Sequence, residues 1–365
     1  MGDSPLMDSE APKKRGKRPQ SPLRNPKIRK LDHPYPDEMT EEQAFEFFKK
    51  HRFATNGGKP QCPFKDCKCE TAYTYKPRWN RPRTALHALF KCEKCHRQFT
   101  VTSKTPLAYH KMTFKQILSA IWDFAAGANG SAALRLSLTR NYDYKSAWVF
   151  FHKLRGAMMS DLESIVLDGE VEIDGTEIGG YVKPKNARKE KSSKDPNKTK
   201  KNAYKLKNFG PTKCKVFVAY QRGGTVRTTI VNEETEAKPW VEHILSKGAI
   251  LHADLAGGLD DLLWHVQEHG EFKRINHSEN FWTGECHTNN AENYNSQLEH
   301  LQGVYRHISH PKYRHAYSEE MAWRMTNKKL SVGDKFATLV QAIGLPGRSK
   351  MKDVWRRKKE QTVAA

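Results

Sequence analysis

Three acidic residues have the chemistry and the surroundings to hold divalent metal ions. Asp174 follows a short run in which apolar and acidic residues alternate, the pattern of a half-buried strand, and a glycine then interrupts the pattern. Asp254 ends the apolar run Ala249–Ala253, and Glu292 stands where a helix is predicted to begin. Two carboxylates at strand ends and a third on a helix can meet in space and hold two divalent ions, which phosphoryl transfer can use.

Each of these acids also has an explanation without catalysis. The two aspartates could each end a strand at a turn, and Asp260 and Asp261 are further acids nearby that are predicted to lie on a helix surface. Asn289 and Glu292 have the spacing of a capping box, Asn-x-x-Glu, which only satisfies backbone N–H groups at a helix start. The catalytic hypothesis depends on all three acids occurring together, in one fold and on a basic chain.

A second candidate metal centre is made of cysteines. Cys62 and Cys67 form one close pair, and Cys92 and Cys95 form another. Two such pairs, each on a tight turn, can surround one Zn²⁺ tetrahedrally with four sulfurs. Cys69 competes with Cys67 as a ligand, and buried thiols without metal are the alternative. Short runs typical of strands lie between and after the pairs, so the segment is predicted to be a zinc ribbon.

The composition indicates a nucleic-acid partner. The chain has 365 residues, with 63 Lys and Arg against 41 Asp and Glu, a net charge of +22 and a pI near 9.6. Such an excess of positive charge is typical of proteins that bind a polyanion. A membrane surface is the rival partner, but the mean hydropathy of −0.81 and the lack of a long apolar span disfavour it. We therefore predict a DNA-binding protein without membrane contact.

The same features indicate a compartment. The N-terminus lacks the apolar segment of a signal peptide, and the seven cysteines are then not expected to form a disulfide framework. If the source is bacterial, the protein is expected in the cytoplasm, associated with the nucleoid. If the source is eukaryotic, it is expected in the nucleus.

The N-terminal third divides by composition. Residues 1–36 are rich in Lys, Arg, Pro and Ser and too poor in apolar residues to form a core, which predicts a disordered basic arm. This arm either binds phosphate or is a solvated leader. Residues 37–105 are predicted to contain a short helix, opened by a capping box at Thr40 and Gln43, followed by the zinc ribbon.

Residues 106–162 have the periodicity of helices. Thr113 and Gln116 form a capping box before an apolar stripe, and a third helix is predicted to open at Tyr142 or Asp143. Three helices of this size suggest a DNA-binding domain related to the helix-turn-helix, with a bundle that serves only packing as the alternative. The basic side chains expected near phosphate are Lys145, Lys153 and Arg155.

Residues 163–330 are predicted to be an α/β (α+β) catalytic domain of the RNase H-like class. The expected order is three strands, a helix, a strand, a helix, a strand and a helix, with Asp174 on the first strand, Asp254 at the end of the fourth and Glu292 on the last helix. A basic insertion, 183–213, interrupts this domain and is either a DNA-docking segment or a solvated loop. Residues 331–365 are predicted to be a basic C-terminal tail.

Several motifs together resemble a known family, the ISXO-type bacterial insertion-sequence transposases, which are related to Merlin elements. The resemblance covers about residues 45–330. The motifs that carry it are Cys62-Pro63, Cys67, Cys92-x-x-Cys95, Arg97-Gln98-Phe99, Glu172-Ile173-Asp174-x-Thr176-x-Ile178-Gly179-Gly180, Asn276-His277-Ser278 and His287-Thr288-Asn289-x-x-Glu292.

This resemblance implies an RNase H-like fold and DDE catalysis of transposition at terminal inverted repeats, with Mg²⁺ (or Mn²⁺) in addition to Zn²⁺. Asp174, Asp254 and Glu292 match the acidic positions of the family, and Asn289 matches an Asn that borders the metal site. The expected partners are the inverted-repeat ends and the target DNA, with further copies of the chain assembled as a homo-oligomer on that DNA.

The sequence departs from the family pattern at two positions. Gly175 stands where relatives often have Glu, and Glu299 stands where they commonly have Lys. Loss of a Lys removes an expected DNA contact. Two other function classes therefore stay open: a catalytically inactive or domesticated transposase that acts as a DNA-binding protein, and an RNase H-type nuclease without strand joining.

Overall fold

The computed structural model describes residues 31–67, 69–75, 89–178, 214–231, 234–254, 271–275, 287–305, 308 and 311–347. Three predictions lie outside these residues: the basic arm up to residue 30, the basic insertion 183–213, and a helix expected at Leu259–Val266. The same is true of the motif at 276–278. No helix of the described part is long and apolar enough to span a membrane.

The cysteine-rich segment folds as a helix followed by a small sheet. Helix α1, Glu41–Arg52, opens with the expected capping box between Thr40 and Gln43. Strands β1 (Ala72–Thr74), β2 (Phe90–Cys92) and β3 (Gln98–Phe99) then form an antiparallel sheet in that order. Each strand has only two or three residues, so the sheet has little core of its own.

Three helices follow, as predicted. Helix α2, Phe114–Ala126, has its capping box at Thr113, α3 is Ala133–Arg140, and α4 is Tyr144–Glu163 with Asp143 as its N-cap. The apolar stripe of α2 is buried, because it faces the other helices. Helix α4 buries residues on most of its circumference, which fits the packing bundle better than a helix that enters a DNA groove.

The expectation that Arg155 lies near phosphate is wrong. Its side chain is 2% exposed, and its Nε donates to Glu320 Oε2 at 2.7 Å. Glu320 also accepts a hydrogen bond from Arg324 at 2.9 Å, and Arg324 in turn donates to the carbonyls of Phe124 and Gly127 at the end of α2. This buried network ties α2 and α4 to a later helix. Lys145, at the start of α4, is exposed.

The remaining strands form one mixed sheet. They are β4 (Glu170–Ile178), β5 (Cys214–Gln221), β6 (Val226–Val231), β7 (Ile250–Asp254) and β8 (Phe272–Ile275), and their order in the sheet is β6-β5-β4-β7-β8. The first three strands pair antiparallel, and β7 and β8 run parallel to β4. A hairpin around Gly223 and Gly224 connects β5 and β6.

Helices cover both faces of this sheet. Helix α5, Lys238–Ile244, shares a core with the face that carries Val171 and Ile173 of β4. On the opposite face lie α6 (Asn289–Val304) and α7 (Pro311–Thr326). Leu298 and Leu301 of α6 are buried, as the helical period predicted. A mixed α/β architecture is the result, and on this second face α6 contacts β4.

The expectation of a basic tail from residue 331 is wrong for residues 332–344. They form helix α8, Val332–Gly344, whose apolar side packs on α1, α2 and α4. Phe336 stacks on Phe47 at 5.5 Å between ring centroids, and the buried Arg52 donates to the Gly344 carbonyl at 2.6 Å. The amphipathic stripe of α8 therefore closes the helical region; residues 348–365 lie outside the described part.

Candidate active site and metal centre

Asp174 lies within strand β4 rather than at its end, because the strand continues past Gly175 to Ile178. Its side chain is half-buried. Its Oδ1 accepts a hydrogen bond from the Gly175 backbone N–H at 2.7 Å, and its Oδ2 accepts one from Asn295 Nδ2 at 2.7 Å. The Asn295 bond joins the strand directly to helix α6.

Asp254 is the last residue of β7, the parallel neighbour of β4. The register of these two strands pairs Ile173 with Ala253. Asp174 and Asp254 each follow directly on that pair, so the two aspartates occupy corresponding positions of adjacent strands. The topology thus brings together two residues that lie far apart in sequence.

Glu292 lies in the first turn of α6 and is exposed. Its Oε1 accepts a hydrogen bond from the Thr288 hydroxyl at 3.3 Å. Thr288 is the N-cap of the helix and Asn289 is its first residue, so Asn289 and Glu292 do not occupy the positions of a capping box. The capping explanation for this pair is therefore wrong.

Glu172 is a site residue whose role the sequence did not reveal. The alternating pattern around it suggested an acid facing solvent, yet its side chain is fully buried. Its Oε2 accepts the backbone N–H of Asn290 at 2.7 Å and that of Ala291 at 3.3 Å, and its Oε1 accepts Asn290 Nδ2 at 2.8 Å. A strand carboxylate therefore caps helix α6. The available signal was the two-residue spacing that places Glu172 on the same face of β4 as Asp174.

Basic groups compensate the buried charge of Glu172. Arg222 Nε donates to Glu172 Oε1 at 2.9 Å, and His287 Nδ1 lies 3.2 Å from the same oxygen. Arg222 also contacts Glu170 and the His287 carbonyl. His252, the β7 partner of Glu172, is buried, and burial, followed by the charge of Arg222, lowers its pKa. The network is suited to anchoring α6 rather than to chemistry.

Asn295 is the second residue that sequence reasoning missed. It lies three positions after Glu292, on the same side of α6. Besides the bond to Asp174, its Oδ1 is buried and has no hydrogen-bond partner within the described residues. No motif marks this residue, because its importance depends on how α6 lies against β4.

The four predicted zinc ligands come together. The sulfurs of Cys62, Cys67, Cys92 and Cys95 all lie within 4.8 Å of one another, with Sγ–Sγ distances of 3.7 Å for Cys62–Cys95 and 3.6 Å for Cys67–Cys92. A Zn–S bond of about 2.3 Å makes the edge of a tetrahedral site about 3.8 Å. The arrangement therefore has the size of a structural zinc site.

Cys69 is not part of this cluster, and neighbouring groups contact one of its members. The Cys69 sulfur lies 3.3 Å from the Thr71 hydroxyl, outside the cluster of four. Arg97 donates to Cys95 Sγ at 3.4 Å, which lowers the pKa of the Cys95 thiol to about 6. The same guanidinium binds both carboxylate oxygens of Asp66 at 2.8 Å and lies 3.9 Å from the centre of the Phe64 ring. Such contacts orient metal ligands from outside the coordination sphere.

Comparison with known proteins identifies one region of the chain. Residues 166–326 match the family described as an ISXO2-like transposase domain, a range that holds β4 to β8 and α5 to α7. Within this range, the resemblance to ISXO-type insertion-sequence transposases is therefore confirmed. A search of curated proteins found no match.

Proposed function

Because residues 166–326 match the ISXO2-like transposase domain, we propose that the protein is a DDE transposase that cleaves and joins DNA strands at terminal inverted repeats. Asp174, Asp254 and Glu292 are the proposed ligands of Mg²⁺ or Mn²⁺, and Asn289 borders them. The domain is proposed to be RNase H-like. Its three antiparallel strands, followed by two strands parallel to the first, support this assignment.

One observation carries the proposal. Asp174 and Asp254 occupy corresponding positions on adjacent parallel strands, and Asn295 bonds the helix of Glu292 to Asp174 at 2.7 Å. Long stretches of sequence separate these residues, so no local motif explains their approach. Carboxylate oxygens are the ligands that Mg²⁺ prefers, which fits this donor set.

The chain's own residues supply position and charge. Asp174, Asp254 and Glu292 would hold the metal against the phosphodiester, and the Gly175 N–H and the Asn295 amide fix the Asp174 carboxylate. Bound divalent ions stabilise charge on the attacking and leaving oxygens and activate water. Water would nick the DNA, and the freed 3′-hydroxyl would then attack target DNA in the same site. No Ser or Tyr nucleophile is required.

The basic composition supports DNA as the partner. The net charge of +22 reflects an excess of Lys and Arg, which can neutralise DNA phosphates and release their counterions. The affinity for DNA should therefore fall steeply as the salt concentration rises. The proposed assembly is a homo-oligomer on the inverted-repeat ends. Its proposed location is the compartment that holds the DNA, the bacterial cytoplasm or the eukaryotic nucleus. We propose that the four-cysteine cluster binds one structural Zn²⁺ that stabilises the small N-terminal sheet.

Nicking of an inverted-repeat end in the presence of Mg²⁺ tests the function. Asp174→Ala and Glu292→Ala should abolish nicking and leave DNA binding intact. Glu177→Ala, an exposed acid on the same strand, is the matched control and should nick normally. Retained nicking in Asp174→Ala would overturn the assignment.

The same assay separates the alternatives. If wild-type protein binds the ends and never nicks them, the chain is an inactive transposase that acts as a DNA-binding protein. If it nicks and never transfers a 3′-end to a second duplex, it is a nuclease without strand joining. If Glu292→Ala nicks fully and Glu299→Ala does not, the third ligand is misassigned.

A further inference from the structure

We infer that Asn295 is a positioning residue for Asp174, and that Glu172 sets the register of helix α6 that brings it there. The inference rests on the proposed function, because Asp174 is a proposed metal ligand. It assigns a role to Asn295, which no motif marks, and a role to Glu172, which the family motif contains without a stated role. Both lie between β4 and α6, on the face of the sheet opposite α5.

Two contacts of similar spacing hold the helix on the strand. Glu172 and Asp174 lie two residues apart on one face of β4, a separation of about 6.6 Å. Their partners Asn290 and Asn295 lie five residues apart on α6, a rise of about 7.5 Å. Because the spacings nearly agree, α6 can run beside β4 with both contacts formed. A slip by one helical turn would break both.

The first contact is the stronger anchor. Glu172 is fully buried and accepts two backbone N–H groups at the positive end of the helix. Charged hydrogen bonds of this kind are roughly twice as strong as neutral ones. The start of α6 is therefore fixed on β4, and the position of each later residue of the helix follows from it.

The second contact orients the proposed ligand. The Gly175 N–H donates to Asp174 Oδ1, and the Asn295 amide donates to Asp174 Oδ2. Together the two hydrogen bonds fix the rotation of the carboxylate. The amide of Asn295 is neutral, so it holds the carboxylate without competing with a divalent cation for it, as Lys or Arg would. Partners that hydrogen-bond metal ligands commonly change metal affinity when they are mutated. Asn295 also fixes Glu292, one turn earlier on α6, relative to Asp174.

Titration of Mg²⁺ in the nicking assay tests the inference on the full chain. Asn295→Ala should raise the Mg²⁺ concentration for half-maximal nicking by roughly 10- to 100-fold, with much less change in kcat at saturating metal. Asn295→Leu, which keeps a similar volume without a donor, should give the same shift. Asn293→Ala, an exposed Asn of the same helix, is the matched control and should titrate like wild type.

A second readout does not need catalysis. Calorimetry without DNA measures the affinity of the full chain for Mn²⁺. This affinity should fall in Asn295→Ala and Asn295→Leu and stay at the wild-type value in Asn293→Ala. A purely structural role would lower the melting temperature and leave metal affinity unchanged in the folded protein. Wild-type metal affinity in both Asn295 variants would overturn the inference.

Asp174→Ala separates this inference from the proposed function. If Asp174→Ala still nicks, the proposed function fails. If Asp174→Ala loses nicking and Mn²⁺ binding while both Asn295 variants titrate like wild type, only the positioning role of Asn295 fails.

Discussion

The carboxylate of Glu172 accepts the backbone N–H of Asn290 at 2.7 Å, across 118 residues of sequence. Helix α6 has Thr288 as its N-cap, and that side chain makes no capping hydrogen bond. Strand β4 therefore supplies the cap that the helix itself lacks. The first turn of α6, which carries Glu292, depends on the sheet for its stability.

Glu172→Gln should lower the free energy of unfolding by about 1–3 kcal/mol, because buried donors lose a charged acceptor. Chemical denaturation of the full chain measures the change. Glu177→Gln, an exposed acid of the same strand, should shift it by no more than about 0.5 kcal/mol. Equal effects of the two variants would mean that the cap contributes nothing specific.

Glu320→Gln should be more destabilising, by about 3–5 kcal/mol, because it leaves two arginines beside an uncharged buried group. Burial alone would raise the pKa of Glu320, but Arg155 and Arg324 outweigh it and hold that pKa below its ordinary value of 4.5. The charged form therefore stabilises the fold above about pH 4.5, and this contribution is lost as the pH falls through the lowered pKa.

The difference in unfolding free energy between wild type and Glu320→Gln should accordingly shrink as the pH falls below 4.5. Denaturation curves at neutral pH and at several acidic values give this difference. A gap that stays constant with pH would show that Glu320 is not ionised in the folded protein.

Zinc content should be one ion per chain. Cys92→Ser should lose the ion and destabilise the segment around β1 to β3, because the small sheet has little core of its own. Cys69→Ser should keep the ion, since its sulfur bonds Thr71 outside the cluster. Elemental analysis of purified variants measures both. If Cys69→Ser lost zinc and Cys67→Ser kept it, Cys69 rather than Cys67 would be the fourth ligand.

Glu299→Lys should raise the affinity for DNA ends and leave the Mg²⁺ dependence unchanged. Glu299 is exposed and lies seven residues after Glu292, about 10 Å along α6, which is too far for the same metal. If the new Lys contacts a phosphate, the slope of log affinity against log salt should steepen by about 0.9. An unchanged slope would place residue 299 away from the bound strand.

Local patterns predicted the elements well. Capping boxes located α1 and α2, Asp143 located α4, and cysteine spacing located the four-cysteine cluster. These signals succeed because the residues that cause each structure are close in sequence.

Contacts between distant elements could not be predicted in the same way. The period of β4 shows that Glu172 and Asp174 share a face, but it cannot show that α6 covers that face. Arg155 carries a charge that suggested DNA, although its partner Glu320 is 165 residues away. The apolar spacing within 332–344 is that of a helix, but the prediction of a basic tail from residue 331 did not use it.

Helix α8 has a consequence for how the protein is made. Ribosomes add about 5–20 residues per second from the N-terminus. Helices α1 and α2 emerge early, yet the helix that covers their apolar surface is synthesised only after residue 331. The nascent chain therefore carries an unfinished core through most of its synthesis. A product truncated before α8 would present that surface to chaperones and proteases.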